Sequence, residues 1–170
     1  MPRERGLSKP VDNENTPVQR VADCENKTQA HQCIGISRGG RSTKIHVVVD
    51  ALGNPIEVML TVGNAHDVTV AEKLLSRICL KGSVVLADKT YGKWELREYI
   101  ANHDADFCIP PRDNEPDPWF VDWWLYKERH LVETFFLKLK EFRRVATRYD
   151  KLASRFLAFV HLACIRILLA

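Results

Sequence analysis

Four residues in the second half of the chain, Tyr126, Arg129, Glu133 and Lys140, have types and spacing that could do chemistry together. At about 100° per residue of helix, their side chains fall within a sector of about 60°. A carboxylate flanked by an arginine, a lysine and a phenol can hold a divalent metal while the cations hold phosphates around it. The same stripe also describes a solvated helix face with an i,i+4 pair between Arg129 and Glu133, and such stripes are common. A second acid, Asp88, directly follows the apolar run Ser83-Val84-Val85-Leu86-Ala87. Open α/β sheets present ligands at that kind of position, and Lys89-Thr90-Tyr91-Gly92 displays the acid on a turn. For an isolated aspartate the plainer role is a turn or helix cap.

The elements that must position these groups can be read from the pattern. Lys44-Ile45-His46-Val47-Val48-Val49 is a β-branched run, Asp50-Ala51-Leu52-Gly53-Asn54-Pro55 is turn chemistry, and Ile56 to Val62 alternates; together they predict a hairpin. In that turn Asp50 takes a structural role. Gly63 to His66 breaks the hairpin, and Asp67 is placed to cap a helix whose apolar face is Val70, Ala71, Leu74, Leu75 and Ile78. The run from Ser83 to Ala87 is apolar throughout, the mark of a strand buried on both faces. A helix over Tyr91 to His103, a brief strand at Asp106 to Ile109 and a Pro-rich loop from Arg112 to Pro118 follow. One long helix is expected from about Val121 to Phe142 and another from about Lys151 to Leu169. The order is that of a mixed α/β sheet, an antiparallel hairpin followed by parallel crossovers.

The chain of 170 residues has room for one packed domain and not comfortably two. Its 45% hydrophobic and 28% charged residues are ordinary for a globular protein, and a net charge of +3 is by itself weak evidence for a nucleic-acid partner. Five cysteines, Cys24, Cys33, Cys79, Cys108 and Cys164, are odd in number and never spaced Cys-x-x-Cys. That argues against a disulfide framework or zinc site and for reduced thiols in the cytosol. The opening residues lack the apolar run of a secretory signal. Phe156 to Ala170 is shorter than the about 20 residues of a membrane span and carries His161 and Arg166, so it is expected to be a core helix. Residues 1–33 are polar and aperiodic and read as a disordered or degenerate arm, leaving 34–170 as the folded part.

The segment Tyr126-x-x-Arg129-x-x-x-Glu133-x-x-x-x-x-x-Lys140 resembles the signature of a large group of bacterial insertion-sequence transposases of the DDE type. Leu86-Ala87-Asp88-Lys89-Thr90-Tyr91 is similar to that family's second-aspartate segment, with Thr90 where glycine is usual. Ser37-Arg38-Gly39-Gly40, Asp50 to Pro55, Ile109-Pro110-Pro111-Arg112 and Phe142 to Lys151 match in the same order, so the resemblance runs from about Cys33 to Ala170. It implies a ribonuclease H-like fold, a mixed sheet flanked by helices, and metal-dependent DNA cleavage and strand transfer. Asp88 and Glu133 would be catalytic metal ligands, with Mg2+ or Mn2+ as the ion. Tyr126, Arg129, Lys140, Arg143 and Arg144 would bind DNA. The implied partner is double-stranded DNA, held by a homodimer in the bacterial cytoplasm at the nucleoid, with no membrane and no small-molecule substrate.

The family's first aspartate belongs on an opening strand, and here the acid near the right distance is Asp12, in polar surroundings with Pro10 beside it. The first strand is therefore expected to be missing or degenerate, as in a chain truncated at its amino terminus. The alternative reading is an inactive remnant that only binds DNA or a full-length subunit. Lys138, Lys140, Arg143, Arg144, Arg148 and Lys151 form one basic cluster, and Arg38, Arg41 and Lys44 a second. Such clusters suit gripping a duplex, or simply a solubilising surface. Trp119, Trp123 and Trp124 are expected as core or interface anchors, with stacking on an unpaired base a lesser option.

Overall fold

A computed structural model describes residues 32–37 and 40–170 of the chain. Asp12, Cys24, Arg38 and nearly all of the amino-terminal arm lie outside the described residues. The predicted hairpin is present as β2 (Gly40–Val49) and β3 (Pro55–Val62), antiparallel, with Ile45 opposite Leu60 and Val47 opposite Val58. A short β1 (Gly35–Ser37) folds back on the start of β2. The turn between β2 and β3 is held by Asp50, whose carboxylate accepts from the amides of Leu52 and Asn54 at 2.8 and 2.9 Å. Gly53 takes φ +83° there, a left-handed conformation that glycine adopts without steric cost.

After the hairpin come helix α1 (Val68–Leu75), strand β4 (Val84–Leu86), a 3-10 turn (Lys89–Tyr91), helix α2 (Trp94–Ala101) and strand β5 (Asp106–Cys108). β4 and β5 pair in parallel, Leu86 opposite Cys108, as a crossover through a helix requires. The carboxy-terminal third is helical: α3 (Trp123–Tyr126), a 3-10 turn (Lys127–Arg129), α4 (His130–Lys140), α5 (Arg143–Ala146) and α6 (Ala153–Leu168). Among the described residues the strands form two hydrogen-bonded sheets, β1-β2-β3 and β4-β5.

Alternation along β2 sends its side chains into two cores. Ile45, Val47 and Val49, with Val58 and Leu60 of β3, pack against Phe135 and Leu139 of α4 and Phe156, Val160 and Ala163 of α6. Val48 points the other way and joins Ala71 and Leu75 of α1, Leu96 and Ile100 of α2, and Val85, Ala87 and Phe107. His46 also leaves the α4 side and is buried, its Nε2 2.7 Å from Thr61 Oγ1.

Several expectations are corrected. Asp67 stands at the start of α1 but makes no capping hydrogen bond. Its carboxylate is 2.8 Å from the Lys44 ammonium instead, because an ion pair across to β2 competes for the same oxygens. β4 is not buried on both faces: Val84 is 42% exposed, and Val85 and Leu86 are half-buried. With three residues and β5 as its paired strand among those described, β4 has too little cover. The expected helix from Val121 to Phe142 is instead three helical pieces, tightened at Lys127–Arg129, and a separate turn, α5, precedes the last helix. Trp123 and Trp124 are 62% and 79% exposed, so neither is a core anchor. Their helix turns Leu125 inward and leaves the two indoles on its outer side. Trp119 is the anchor of the three: it is half-buried, and its Nε1 donates to the Ile109 carbonyl at 2.7 Å.

Arg148 is likewise not part of a basic surface. Its guanidinium donates to the carbonyls of Asp150 and Lys151 at 2.8 and 2.9 Å, to Cys33 O at 3.4 Å and to Thr43 Oγ1, and it lies 5.0 Å over the Phe156 ring. Burial lowers its pKa from the usual value, and the five donors of a planar fork suit several acceptors at once. Arg148→Ala is expected to destabilise the fold by about 2–4 kcal/mol in chemical denaturation. Arg148→Lys should recover less than half of that, since one ammonium cannot reach the same set of oxygens. Burial holds the His46 pKa below its ordinary 6.5, with Asp67 opposing that shift and Lys44 adding to it. A neutral His46 therefore contributes stability that is complete above about pH 6.5 and is lost as pH falls through its lower folded value. The melting temperature should fall on acidification below pH 6.5, and His46→Gln should flatten that part of the profile.

Candidate active site

Asp88 sits two residues beyond the end of β4, and the strand's alternation decides where it faces. Val85 and Ala87 belong to the core shared with α1 and α2, so Leu86 points to the opposite side, and Asp88 continues from it on backbone that is still extended, φ −78° and ψ 170°. The same holds for Cys108, the partner of Leu86 in β5. Its thiol donates to the carbonyl of Asp122 at 3.3 Å. Asp122 in turn caps α3, its carboxylate accepting from the amides of Trp124 and Leu125 at 2.9 and 3.1 Å. The arm that carries Tyr126, Arg129 and Glu133 thus begins on the Leu86 side of the strands, the side to which Asp88 belongs. Its far end is fixed by Phe135 and Leu139 in the second core, and Leu131 packs 3.7 Å from where a Cβ on Gly53 would stand.

The arm's own groups form a connected series. The Arg129 guanidinium lies 5.8 Å from the Tyr126 ring and is ion-paired with Glu133. The 3-10 turn at Lys127–Arg129 winds more tightly than an α-helix and brings residues three apart into line, which places Arg129 over Tyr126. Toward Asp88 the link is Lys89. Its pKa is raised first by the hydrogen bond and charge of Asp113, and to a smaller extent by the charges of Asp88 and Tyr126. Lys89 therefore feels the charge of both the Asp88 turn and the helical arm. Tyr91, on the inner side of the turn, is pushed to about 12 by burial and then by Asp67 and Asp88, so it stays a neutral phenol.

Each acid has one engaged and one available oxygen. Asp88 Oδ1 accepts from the Thr90 amide at 2.7 Å and from the Thr90 hydroxyl. Glu133 Oε1 takes Arg129, and its side chain is 57% exposed. Among the described residues no hydrogen bond reaches Asp88 Oδ2 or Glu133 Oε2. An oxygen-only donor set of this kind suits a hard divalent cation. Among the described residues no three His, Cys, Asp or Glu side chains gather into a metal-holding group. Asp50, the other acid of the hairpin, is committed to its turn, and the backbone hydrogen bonds it accepts lower its pKa, that from Asn54 foremost.

Lys140 closes α4 at the surface, about 20 Å along the helical arm from Tyr126. Arg143 is exposed, its Nε 3.4 Å from the Tyr149 hydroxyl. Arg144 is partly engaged, 4.6 Å over the Phe159 ring and 3.7 Å from Asp150. These three stand at and after the end of α4, following Leu139 of the second core. Nearer Asp88, a cleft of about 500 Å³ bounded by Lys89, Thr90, Arg112, Asp113, Asn114 and Glu115 was not singled out from the sequence. The available signal was the adjacency of Lys89 to Asp88 and of Arg112 to the Pro-Pro stop. Because Asp88 caps its turn, Asp88→Ala should cost about 1 kcal/mol of stability in denaturant titration. Asp88→Asn, an equally good cap, should stay within about 0.5 kcal/mol of the parent.

Comparison with known proteins gives the family. The family described as "Transposase DDE domain" matches residues 13–116, which include Asp88. A Brucella ovis protein named as a transposase for insertion sequence element IS6501 is 43% identical over 127 residues, covering 72% of this chain and 95% of that protein. A Burkholderia cepacia protein named as a transposase for insertion sequence element IS402 is 31% identical over 137 residues, covering 75% of this chain and 63% of that protein. No solved structure gives a significant match. Among the described residues no helix is long and apolar enough to cross a membrane. On the extent of these matches, the chain belongs to the DDE transposase family of insertion sequences, enzymes of DNA transposition.

Proposed function

We propose that Asp88 and Glu133 are two of the acids of the transposase's catalytic centre, and that the chain cleaves DNA at the ends of an insertion sequence and joins them to a target. The observation that carries this reading is the side from which the two acids are presented. Alternation turns Asp88 to the Leu86 side of the strands, and the Cys108–Asp122 hydrogen bond starts the Glu133-bearing arm on that same side. The layer is ribonuclease H-like on this reading, with residues 34–170 as its catalytic domain; Asp12 stands near the place of the family's first aspartate, but in polar surroundings that make a poor strand.

Magnesium, with manganese as its substitute, would be held by Asp88 and Glu133 and would supply the positive charge that favours attack on a phosphodiester and departure of its leaving oxygen. The protein's own groups do the rest. Arg129 fixes one oxygen of Glu133 and leaves the other available. Tyr126 and Lys140 are spread over about 20 Å of helix, so they engage different phosphates and set the register of the strand. Arg143, beyond the end of that helix, extends the grip, and Arg144 adds to it from its place over Phe159. The reaction is in-line attack by water in the cleavage step and by a DNA 3′-hydroxyl in the joining step. Two element ends must be joined in one event, which a homodimer on DNA serves.

The test uses a supercoiled plasmid bearing the element's ends, with magnesium supplied. Asp88→Asn and Glu133→Gln should each lower the nicking rate by about 1000-fold, the several kcal/mol expected of a lost metal-holding acid. Binding of a labelled duplex should change by no more than about twofold. A rate that survives either substitution removes that residue from the centre, and a parent chain that binds duplex without nicking it has the binding role alone.

A further inference from the structure

The cleft beside Asp88 has a feature that the reaction as described does not use. Lys89 Nζ is 2.9 and 3.2 Å from the two carboxylate oxygens of Asp113, a residue on the Pro-rich loop after β5. Arg112 reaches across the same cleft, its guanidinium donating to the Thr90 carbonyl at 3.3 Å. The turn and the loop are held together independently of these charges. Gly92 is buried so close to the loop that a Cβ would stand 3.2 Å from the Pro110 carbonyl and 3.5 Å from the Trp119 ring. Lys89 and Arg112 are therefore kept facing a common space whether or not Asp113 occupies it.

Asp113 is poorly placed for a stabilising ion pair. Its side chain is 82% exposed and that of Lys89 55% exposed, and pairs this open to solvent contribute about 0–1 kcal/mol. What the carboxylate does is place two anionic oxygens against an ammonium, with a guanidinium on the neighbouring residue, one residue past a candidate catalytic acid. That is also how a phosphodiester would be held, two oxygens shared between lysine and arginine. A DNA phosphate entering the cleft would meet Asp113 as a like charge and would have to displace it.

We propose that Lys89 and Arg112 hold the DNA phosphate next to the one under attack, and that Asp113 is an anionic placeholder on Lys89 which the phosphate displaces. This rests on the proposed function for its reaction, yet it concerns binding and can be tested without turnover. The placeholder keeps the lysine side chain extended over the cleft and sets an affinity threshold, so that a weak or misaligned duplex does not exchange with it.

The experiment measures binding of a fluorescein-labelled nonspecific DNA duplex by anisotropy, over a range of salt, for the whole chain. Asp113→Asn is isosteric and exposed, and is expected to tighten binding about three- to fivefold, the size of one exposed ion pair. Glu72→Gln, an exposed acid on α1 with the same charge change, should have a smaller effect. In a Lys89→Ala background the Asp113→Asn gain should shrink to the size of the Glu72→Gln effect, and Lys89→Ala or Arg112→Ala should each lower the slope of log affinity against log salt by about 1. No tightening by Asp113→Asn, an equal effect of Glu72→Gln, or an undiminished gain without Lys89 would each overturn the inference. Failure here while Asp88→Asn abolishes nicking leaves the proposed function standing. A parent chain that does not bind duplex overturns both.

Discussion

The pleat of the central hairpin is the constraint on which the rest of the molecule depends. Successive side chains of a strand cannot share a face, so Ile45, Val47 and Val49 must enter one core and Val48 the other. Helices α4 and α6 are thereby bound to one face and α1 with α2 to the opposite one. A slip of one residue in the β2–β3 register would exchange the two sets. The Asp50 turn prevents this, with a carboxylate that satisfies the amides of Leu52 and Asn54 and a glycine at positive φ. The same rule at β4 separates Val85 and Ala87 from Leu86 and Asp88, and so gives the candidate acid its direction.

Few polar contacts then bring the helical arm to the strand ends. The Cys108 thiol on Asp122 is a weak bond, and the Asp122 cap and the Trp119 indole on Ile109 are bonds of ordinary strength. They act where a short strand leaves little apolar area to do the work. The resulting site is open, and its charges face solvent, where salt screens them over about 10 Å. Such a surface cannot grip a ligand by one strong contact. It suits a polyanion met by many weak ones, spread from the Lys89 cleft along the arm to Lys140 and Arg143.

Much of this was legible in the chain itself. The hairpin, its turn and the role of Asp50 follow from β-branched runs around Asp-Ala-Leu-Gly-Asn-Pro, because local sterics and local hydrogen bonds settle them. The apolar spacing of α1, the placement of Asp88 after an apolar run and the one-sided set from Tyr126 to Glu133 were equally local. The misreadings share a cause. Asp67 looks like a cap until Lys44 competes for it across 23 positions. Arg148 looks like surface charge until Cys33 and Thr43, distant in sequence, offer acceptors. Val84 looks buried, and Trp123 and Trp124 look like core anchors, because apolar character suggests burial. How much cover a side chain receives depends on elements elsewhere in the chain.

The sequence alone thus determined the family, the chemistry on offer and the elements that carry it: two acids on different segments, with an arginine and a phenol at helical spacing from one of them. Only the tertiary structure decided which cations face solvent and which are consumed internally, Lys89 and Arg112 lining an open cleft against Arg148 in a web of carbonyls. The physical reason is that a charge's role is fixed by its nearest partners and its exposure to water. Both are properties of the packed chain, set by contacts between residues that the sequence holds far apart.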